Sequence, residues 1–109
     1  MTSKVEKLDR ENFEHSVVDA TWPVLVDFYA DWCVPCRVVA PLVDPLAEDY
    51  ADRVGVFKVD VDASPDLASR FGVRSIPTLV LFKDGKPVET LVGVVTRGQL
   101  SGVLDNVAV

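Results

Sequence analysis

Cysteine and histidine, the usual ligands of structural zinc, are scarce in this sequence. Among its 109 residues there are two cysteines, Cys33 and Cys36, and one histidine, His15. A structural zinc ion takes four ligands, and His15 is distant in sequence from both cysteines, which argues against a metal site. The pair is then either a redox-active dithiol or an inert disulfide or coincidental buried pair. Because the chain has no third cysteine, we interpret Cys33 and Cys36 as a redox-active dithiol.

Clusters of basic residues and long apolar runs are also absent. The chain has 17 acidic and 11 basic side chains and a formal net charge of −6, and its basic residues are scattered singly from Lys4 to Arg97. Binding to a phosphate backbone needs a basic patch, so we expect no nucleic-acid partner. No apolar run approaches the roughly 20 residues of a membrane-spanning helix, so we expect no membrane association.

The N-terminal segment from Met1 to Asp9 is polar and lacks the apolar core of a signal peptide, which predicts a cytoplasmic protein. In the cytoplasm structural disulfides are rare, and a close cysteine pair is more often catalytic or metal-binding. The length of 109 residues, 49% of them hydrophobic, predicts one domain over residues 1–109 with a core that needs no disulfide support. We expect this domain to be a monomer.

Apolar runs alternate with amphipathic segments along the chain and predict the element order βαβαβαββα. The predicted strands are Lys4–Leu8, Val24–Tyr29, Val54–Val61, Thr78–Phe82 and Val88–Val92. The predicted helices follow Asp9, the cysteine motif, Ser64 and Thr96, with a capping box formed by Thr96 and Gln99. Pro41 and Pro45 lie inside the second helix and each removes an amide donor, so we expect a kink near Pro41 or a restart there.

The order of these elements predicts an α/β fold with a central mixed five-stranded sheet and helices on both faces. The first strands alternate with helices, which favours parallel pairing through right-handed crossovers. Asp84-Gly85 is a turn signal for an antiparallel hairpin. Functional sites in such sheets form at the carboxyl ends of central strands, and the cysteine motif follows the strand Val24–Tyr29.

The motif Trp32-Cys33-Val34-Pro35-Cys36 places two thiols three residues apart at the start of a helix. Positions with this spacing share one helix face, so the side chains lie within reach of a disulfide. The positive end of the helix dipole and its unpaired amides stabilise a thiolate, so Cys33 is predicted to ionise readily. Cys33 would attack a disulfide in another molecule, and Cys36 would resolve the mixed disulfide. The absence of a histidine between the cysteines argues for a reductant over an oxidase.

With this motif in that setting, the chain resembles the thioredoxin family over nearly its whole length. The segments that carry the resemblance are Val26–Cys36, Phe57-Lys58-Val59-Asp60, Ser75-Ile76-Pro77-Thr78 and Val92-Gly93. The chain departs from the family pattern at Val34, where glycine is usual, and at Tyr29, where tryptophan is common. Val34 adds a branched side chain that bears on the redox potential or on the choice of partner.

The resemblance implies a protein-disulfide reductase with the thioredoxin fold, in which Cys33 attacks and Cys36 resolves. It also implies that a thioredoxin reductase restores the dithiol, with electrons that come ultimately from a reduced nicotinamide or from ferredoxin. The substrates would be proteins with disulfides, and no cofactor would bind to this chain. An oxidase or isomerase, and a non-catalytic binding module, remain open as competing functions.

Two charged residues interrupt apolar strands and are candidates for the site. Asp27 precedes Cys33 by six residues, and sequence alone leaves it either a buried proton acceptor for Cys36 or a strand-end acid in solvent. The resemblance favours the proton acceptor. Lys58 is predicted to pair with Asp27 if their strands are neighbours, and would otherwise be an exposed lysine on an edge strand.

The remaining candidate residues belong to a predicted surface for substrates. An X–Pro bond is trans by default, but the resemblance implies a cis Ile76–Pro77 bond that faces the cysteines and offers the Ile76 backbone to an extended substrate. Trp32 would lie over the motif, or else in the core. We name as the apolar patch the residues that would form an exposed partner surface: Val34, Pro35, Val61, Ile76, Pro77, Val92, Gly93 and Val94.

Overall fold

The computed structural model describes residues 5–108, so Lys4, where the predicted first strand begins, lies outside the described residues. The strands are β1 (Glu6–Leu8), β2 (Val24–Tyr29), β3 (Gly55–Asp60), β4 (Thr78–Lys83) and β5 (Lys86–Val92). The helices are α1 (Arg10–Phe13), which continues as a π-helical turn over Glu14–Val18, α2 (Val34–Asp49), α3 (Pro65–Arg70) and α4 (Arg97–Val107). This order confirms the predicted one. Within residues 5–108, no helix has the length and apolar character needed to cross a membrane.

The five strands form one mixed sheet with the order β1-β3-β2-β4-β5. β3 runs parallel to β1 and β2, and β4 is antiparallel to β5, as predicted for the first half of the chain and for the hairpin. β4 is also antiparallel to β2, which was not predicted. β2 therefore lies at the centre of the sheet. Across β2, Asp27 is in register with Lys58 of β3 and with Leu79 of β4.

The two faces of the sheet carry separate cores because successive strand residues point to opposite sides. Leu25 packs with apolar side chains of α2 and α4, among them Val39 and Leu100. Val24 and Phe28 pack on the other face with the side chains of α1 and α3. Helices thus cover both faces. Asp27 lies two residues after Leu25 on the same strand, so its side chain is on the same face of the sheet, the face that α2 covers.

α2 runs without interruption through Pro41 and Pro45, so the predicted restart at Pro41 is wrong. The carbonyl of Arg37 loses its amide partner at Pro41, but Arg37 and Pro41 are both exposed, and water can solvate that oxygen. The buried stripe of the helix, which includes Val39 and Leu46, continues on both sides of the prolines and holds the helix against the sheet.

The hairpin between β4 and β5 turns at the predicted pair Asp84-Gly85. Both residues have positive φ values, 54° and 77°, as a type I′ turn requires. Gly85 also approaches the main chain at the end of the π-helical turn, because a Cβ on Gly85 would lie 2.5 Å from the Val18 carbonyl oxygen. β5 forms one edge of the sheet and is mostly exposed.

Candidate active site

Cys33 and Cys36 meet where the central strand gives way to α2. Cys33 is the N-cap residue of α2, and Pro35 occupies the first turn, where its missing amide costs no helical hydrogen bond. The two cysteines form a disulfide with their Cα atoms 5.3 Å apart, which confirms that they lie within bonding reach. The Cys36 amide donates a hydrogen bond to Cys33 Sγ at 3.2 Å. A thiolate formed at Cys33 would therefore have a helix N-terminal donor already aimed at it.

The disulfide is largely covered by the protein. Cys33 and Cys36 are each 3% exposed, and they pack with Ala30 against Tyr29 and Ile76. Cys33 Sγ lies 3.8 Å from the carbonyl oxygen of Ile76. The backbone of Ile76 is thus immediately beside the sulfur that is predicted to attack a substrate.

The Ile76–Pro77 bond is cis, as the resemblance implied. Pro77 itself is buried, so its predicted place in an exposed patch is wrong. The reason is that Pro77 leads directly into the central part of the sheet, and its carbonyl oxygen accepts a hydrogen bond from the Gly93 amide at 2.8 Å. This bond brings the end of β5 next to the Pro77 loop.

The other predicted contact residues are at the surface around the disulfide. The most exposed are Trp32 at 66%, Val34 at 65%, Val92 at 62% and Val94 at 57%. Pro35 is exposed as well, whereas Val61, Ile76 and Gly93 are half-buried. The hypothesis that Trp32 lies in the core is therefore wrong.

A carboxylate that the sequence analysis missed holds Trp32 in place. Trp32 Nε1 donates a hydrogen bond to Asp62 Oδ2 at 2.7 Å. Asp62 follows β3, whose carboxyl end lies at the same edge of the sheet as the cysteine motif because β3 is parallel to β2. That position was the available signal, since parallel neighbouring strands bring their following residues together.

Asp27 is a buried carboxyl group, 4% exposed, so the hypothesis of a strand-end acid in solvent is wrong. Its Oδ1 atom accepts no hydrogen bond within residues 5–108. The pKa of Asp27 is raised from 3.8 to about 7. Burial is the largest cause, the charge of Lys58 opposes it, and the charge of Asp44 adds to it. Asp27 can therefore exchange a proton near neutral pH.

Lys58 is half-buried on β3 directly opposite Asp27, and β3 is an interior strand, so the hypothesis of an exposed edge lysine is wrong. The two strands are neighbours, so the condition for pairing of Lys58 with Asp27 is met. Among the described residues, however, no ion pair within 4 Å joins Lys58 to Asp27. The Lys58 ammonium lies 5.7 Å from the centre of the Tyr29 ring. Its effect on Asp27 is a charge interaction through space.

A pocket of about 200 Å³ connects these groups behind the disulfide. Its lining includes Asp27, Cys36, Lys58 and Asp44. Asp44 was not predicted from the sequence, although it follows Cys36 by eight residues and therefore lies on the same face of α2. Within the part of the chain that the structure describes, no group of three or more His, Cys, Asp or Glu residues could hold a metal ion.

Comparison with known proteins gives consistent matches over most of the chain. The family model described as Thioredoxin matches residues 4–106. Thioredoxin 1 of Synechococcus elongatus is 53% identical over 93 residues, which cover 85% of this chain and 87% of that protein. Thioredoxin 1 of a Nostoc species is 46% identical over 94% of this chain and 96% of its own length. The chloroplastic M-type thioredoxin of Triticum aestivum is 43% identical over 89% of this chain and 55% of its own length.

Proposed function

This chain belongs to the thioredoxin family and is a thiol–disulfide oxidoreductase that reduces disulfides of protein substrates, and from that premise we propose the role of each site residue and the source of the electrons. The observation that carries the proposal is the disulfide between Cys33, at the N-cap of α2, and Cys36 one turn later. The Cys36 amide on Cys33 Sγ supports Cys33 as the attacking sulfur.

The exchange begins with both cysteines reduced. The Cys33 thiolate attacks one sulfur of a substrate disulfide, a bond forms between Cys33 and that sulfur, and the other substrate sulfur leaves as a thiolate. Cys36 then gives its proton to Asp27 and attacks Cys33 Sγ, and the second substrate sulfur leaves as a thiolate. Two electrons pass to the substrate, and the Cys33–Cys36 disulfide remains. The shared pocket and the pKa of about 7 support Asp27 as the proton acceptor.

The substrate would dock on the exposed apolar side chains around the disulfide. Trp32, Val34, Pro35, Val92 and Val94 supply apolar area, while the half-buried Val61, Ile76 and Gly93 line its edge. The Ile76 carbonyl beside Cys33 Sγ supports pairing of its backbone with an extended substrate segment. Recognition through apolar area and backbone suits substrates of varied sequence, and Pro77 shapes this loop from beneath the surface.

A thioredoxin reductase would restore the dithiol, with electrons from a reduced nicotinamide or from ferredoxin. Lys58 would assist by favouring the ionised form of Asp27, because its positive charge lowers the Asp27 pKa. The protein would act as a monomer in the cytoplasm, where the reduced state of the pair is maintained.

Two single substitutions test the assignment of the sulfur atoms. Cys36→Ser should accumulate a mixed disulfide with substrate proteins, because the attacking sulfur remains and the resolving sulfur is gone. Cys33→Ser is the matched control and should accumulate none and lose turnover of insulin disulfides with dithiothreitol. The adducts are counted by mass spectrometry before and after treatment with reductant. If Cys33→Ser reduced insulin at the native rate, the proposed mechanism would be wrong.

A further inference from the structure

The pocket behind the disulfide contains a second carboxylate that comes from a different element. Asp27 lines it from β2, and Asp44, an exposed residue, lines it from α2. Cys36, Ala40 and Asp44 follow one another at four-residue spacing and line the same pocket, so one face of α2 links the resolving cysteine to this second acid.

We propose that Asp44 is a positioning residue for the resolution step and that its negative charge acts on Asp27 across the shared pocket. The inference deepens the proposed function and rests on it, because it requires Asp27 to accept the proton of Cys36. Asp44 touches neither sulfur in this role, and it acts entirely through the protonation of Asp27.

The surroundings of Asp27 make it sensitive to a charge at this position. Its side chain is buried, and Oδ1 accepts no hydrogen bond from the described residues, so little local polarity screens it. Lys58 faces it from β3 and lowers its pKa, whereas Asp44 faces the pocket from α2 and raises that pKa. The two charges oppose one another across the same group.

Besides Asp27, Asp44 and Lys58, the pocket lining includes three charged or titratable residues, Tyr29, Asp31 and Arg37. Arg37 Nη2, on α2, donates a hydrogen bond to the Asp31 carbonyl oxygen at 2.6 Å, in the loop before Cys33. The Tyr29 hydroxyl, on β2, has a raised pKa because of burial first and then the charges of Asp60, Asp31 and Asp27. Tyr29 therefore stays neutral where Asp27 titrates. Among the acids of the pocket lining, Asp44 is the one whose charge raises the pKa of Asp27.

The consequence for the exchange follows from the two properties of a general base. A base must be ionised at the working pH, and it removes a proton more effectively when its own pKa is higher. Burial and Asp44 strengthen Asp27 as a base, and Lys58 keeps it ionised near neutral pH. Removing the charge of Asp44 should therefore let Asp27 ionise at lower pH and make it a weaker base above that pH.

The test is Asp44→Asn, measured in two ways. Carbon-13 NMR of the Asp27 carboxyl in the oxidised protein should show a titration midpoint below that of the wild type, which is about 7. The rate at which a preformed mixed disulfide on Cys33 is resolved, followed as a function of pH, should show the same downward shift of its inflection and a lower plateau at high pH. Asp44→Glu, which keeps the charge, should restore the wild-type inflection.

Two controls separate this inference from the proposed function. Glu48→Gln removes one negative charge from the next turn of α2, outside the pocket lining, and should leave the inflection in place. Asp27→Asn should abolish the inflection. If it does so while Asp44→Asn keeps the wild-type midpoint, or if Glu48→Gln shifts the midpoint equally, the inference about Asp44 is overturned and the role of Asp27 stands. If Asp27→Asn keeps the wild-type profile, the role of Asp27 fails and that of Asp44 fails with it.

Discussion

Val34 stands between the two cysteines at the first position of α2 and leaves 65% of its surface exposed. The family's usual residue there is glycine, so this chain adds a branched apolar side chain to the surface that a substrate must approach. Its neighbour Trp32 is equally exposed, and the two enlarge the apolar area beside a disulfide that is itself covered. The extra area should favour binding of protein substrates over small disulfides.

Substituting Val34 by threonine tests this contribution because the shape of the side chain is nearly kept. Loss of about 0.8 kcal/mol for the exchanged methyl group corresponds to roughly a fourfold rise in KM for insulin. The rate of reaction with dithiothreitol, which makes no apolar contact of this size, should not change. An unaltered KM for insulin would show that Val34 does not contact the substrate.

The residues of the site differ in how far the sequence predicts them. Cys33 and Cys36 follow from their spacing. A charge inside an apolar strand marks Asp27 as a candidate, and only the family resemblance favoured the buried proton acceptor over an acid in solvent. Asp44 shares a helix face with Cys36 and Asp62 follows β3, but each is one of 17 acidic residues, and the local sequence does not show that Asp44 lines the pocket of Asp27 or that Asp62 accepts a hydrogen bond from Trp32. Tertiary contacts of this kind are not encoded in short-range patterns.

The secondary-structure elements follow their local signals closely where caps and turns define them. Asp9 and Thr96 form capping boxes at the starts of α1 and α4, and Asp84-Gly85 forms the predicted hairpin turn. The restart at Pro41 was wrong because packing of α2 on the sheet outweighs a local helix-breaking signal. The π-helical turn over Glu14–Val18 was not predicted, because the sequence shows no local pattern for it.

The close approach of Gly85 in the hairpin to Val18 in the π-helical turn leads to a testable prediction. Gly85→Ala should lower the free energy of unfolding by about 3 kcal/mol, because the new methyl group combines an unfavourable φ with a clash against the Val18 carbonyl. Gly72→Ala is the matched control, with a similar φ of 68° and open space around it, and should cost only about 1 kcal/mol. Urea unfolding followed by tryptophan fluorescence measures both losses. Equal losses would contradict the predicted close contact.

At the scale of the whole molecule, the proton on Asp27 is linked to global stability. The pKa of Asp27 is about 7 in the folded protein, against 3.8 for an unperturbed aspartate. Between these values the folded state binds more protons than the unfolded state, so stability falls as pH rises. The contribution is fully present below about pH 3.8 and is lost as pH passes through about 7.

Asp27→Ala isolates this contribution. The difference in unfolding free energy between the variant and the wild type should change by roughly 4 kcal/mol between acidic and mildly alkaline pH, in favour of the variant at high pH. The cavity left by the smaller side chain is independent of pH and cancels in this comparison. Denaturant unfolding of both oxidised proteins across the pH range measures it. A constant difference would mean that Asp27 titrates alike in both states.

The exposed strand β5 bears on whether copies of the protein associate at high concentration. An exposed edge strand can form backbone hydrogen bonds with the edge strand of another copy, and repeated pairing of that kind builds fibrils. β5 begins with Lys86 and Pro87 and carries Glu89, so this edge has charged side chains and one position without an N–H donor. Copies of this chain should therefore not pair readily through β5, even at high protein concentration.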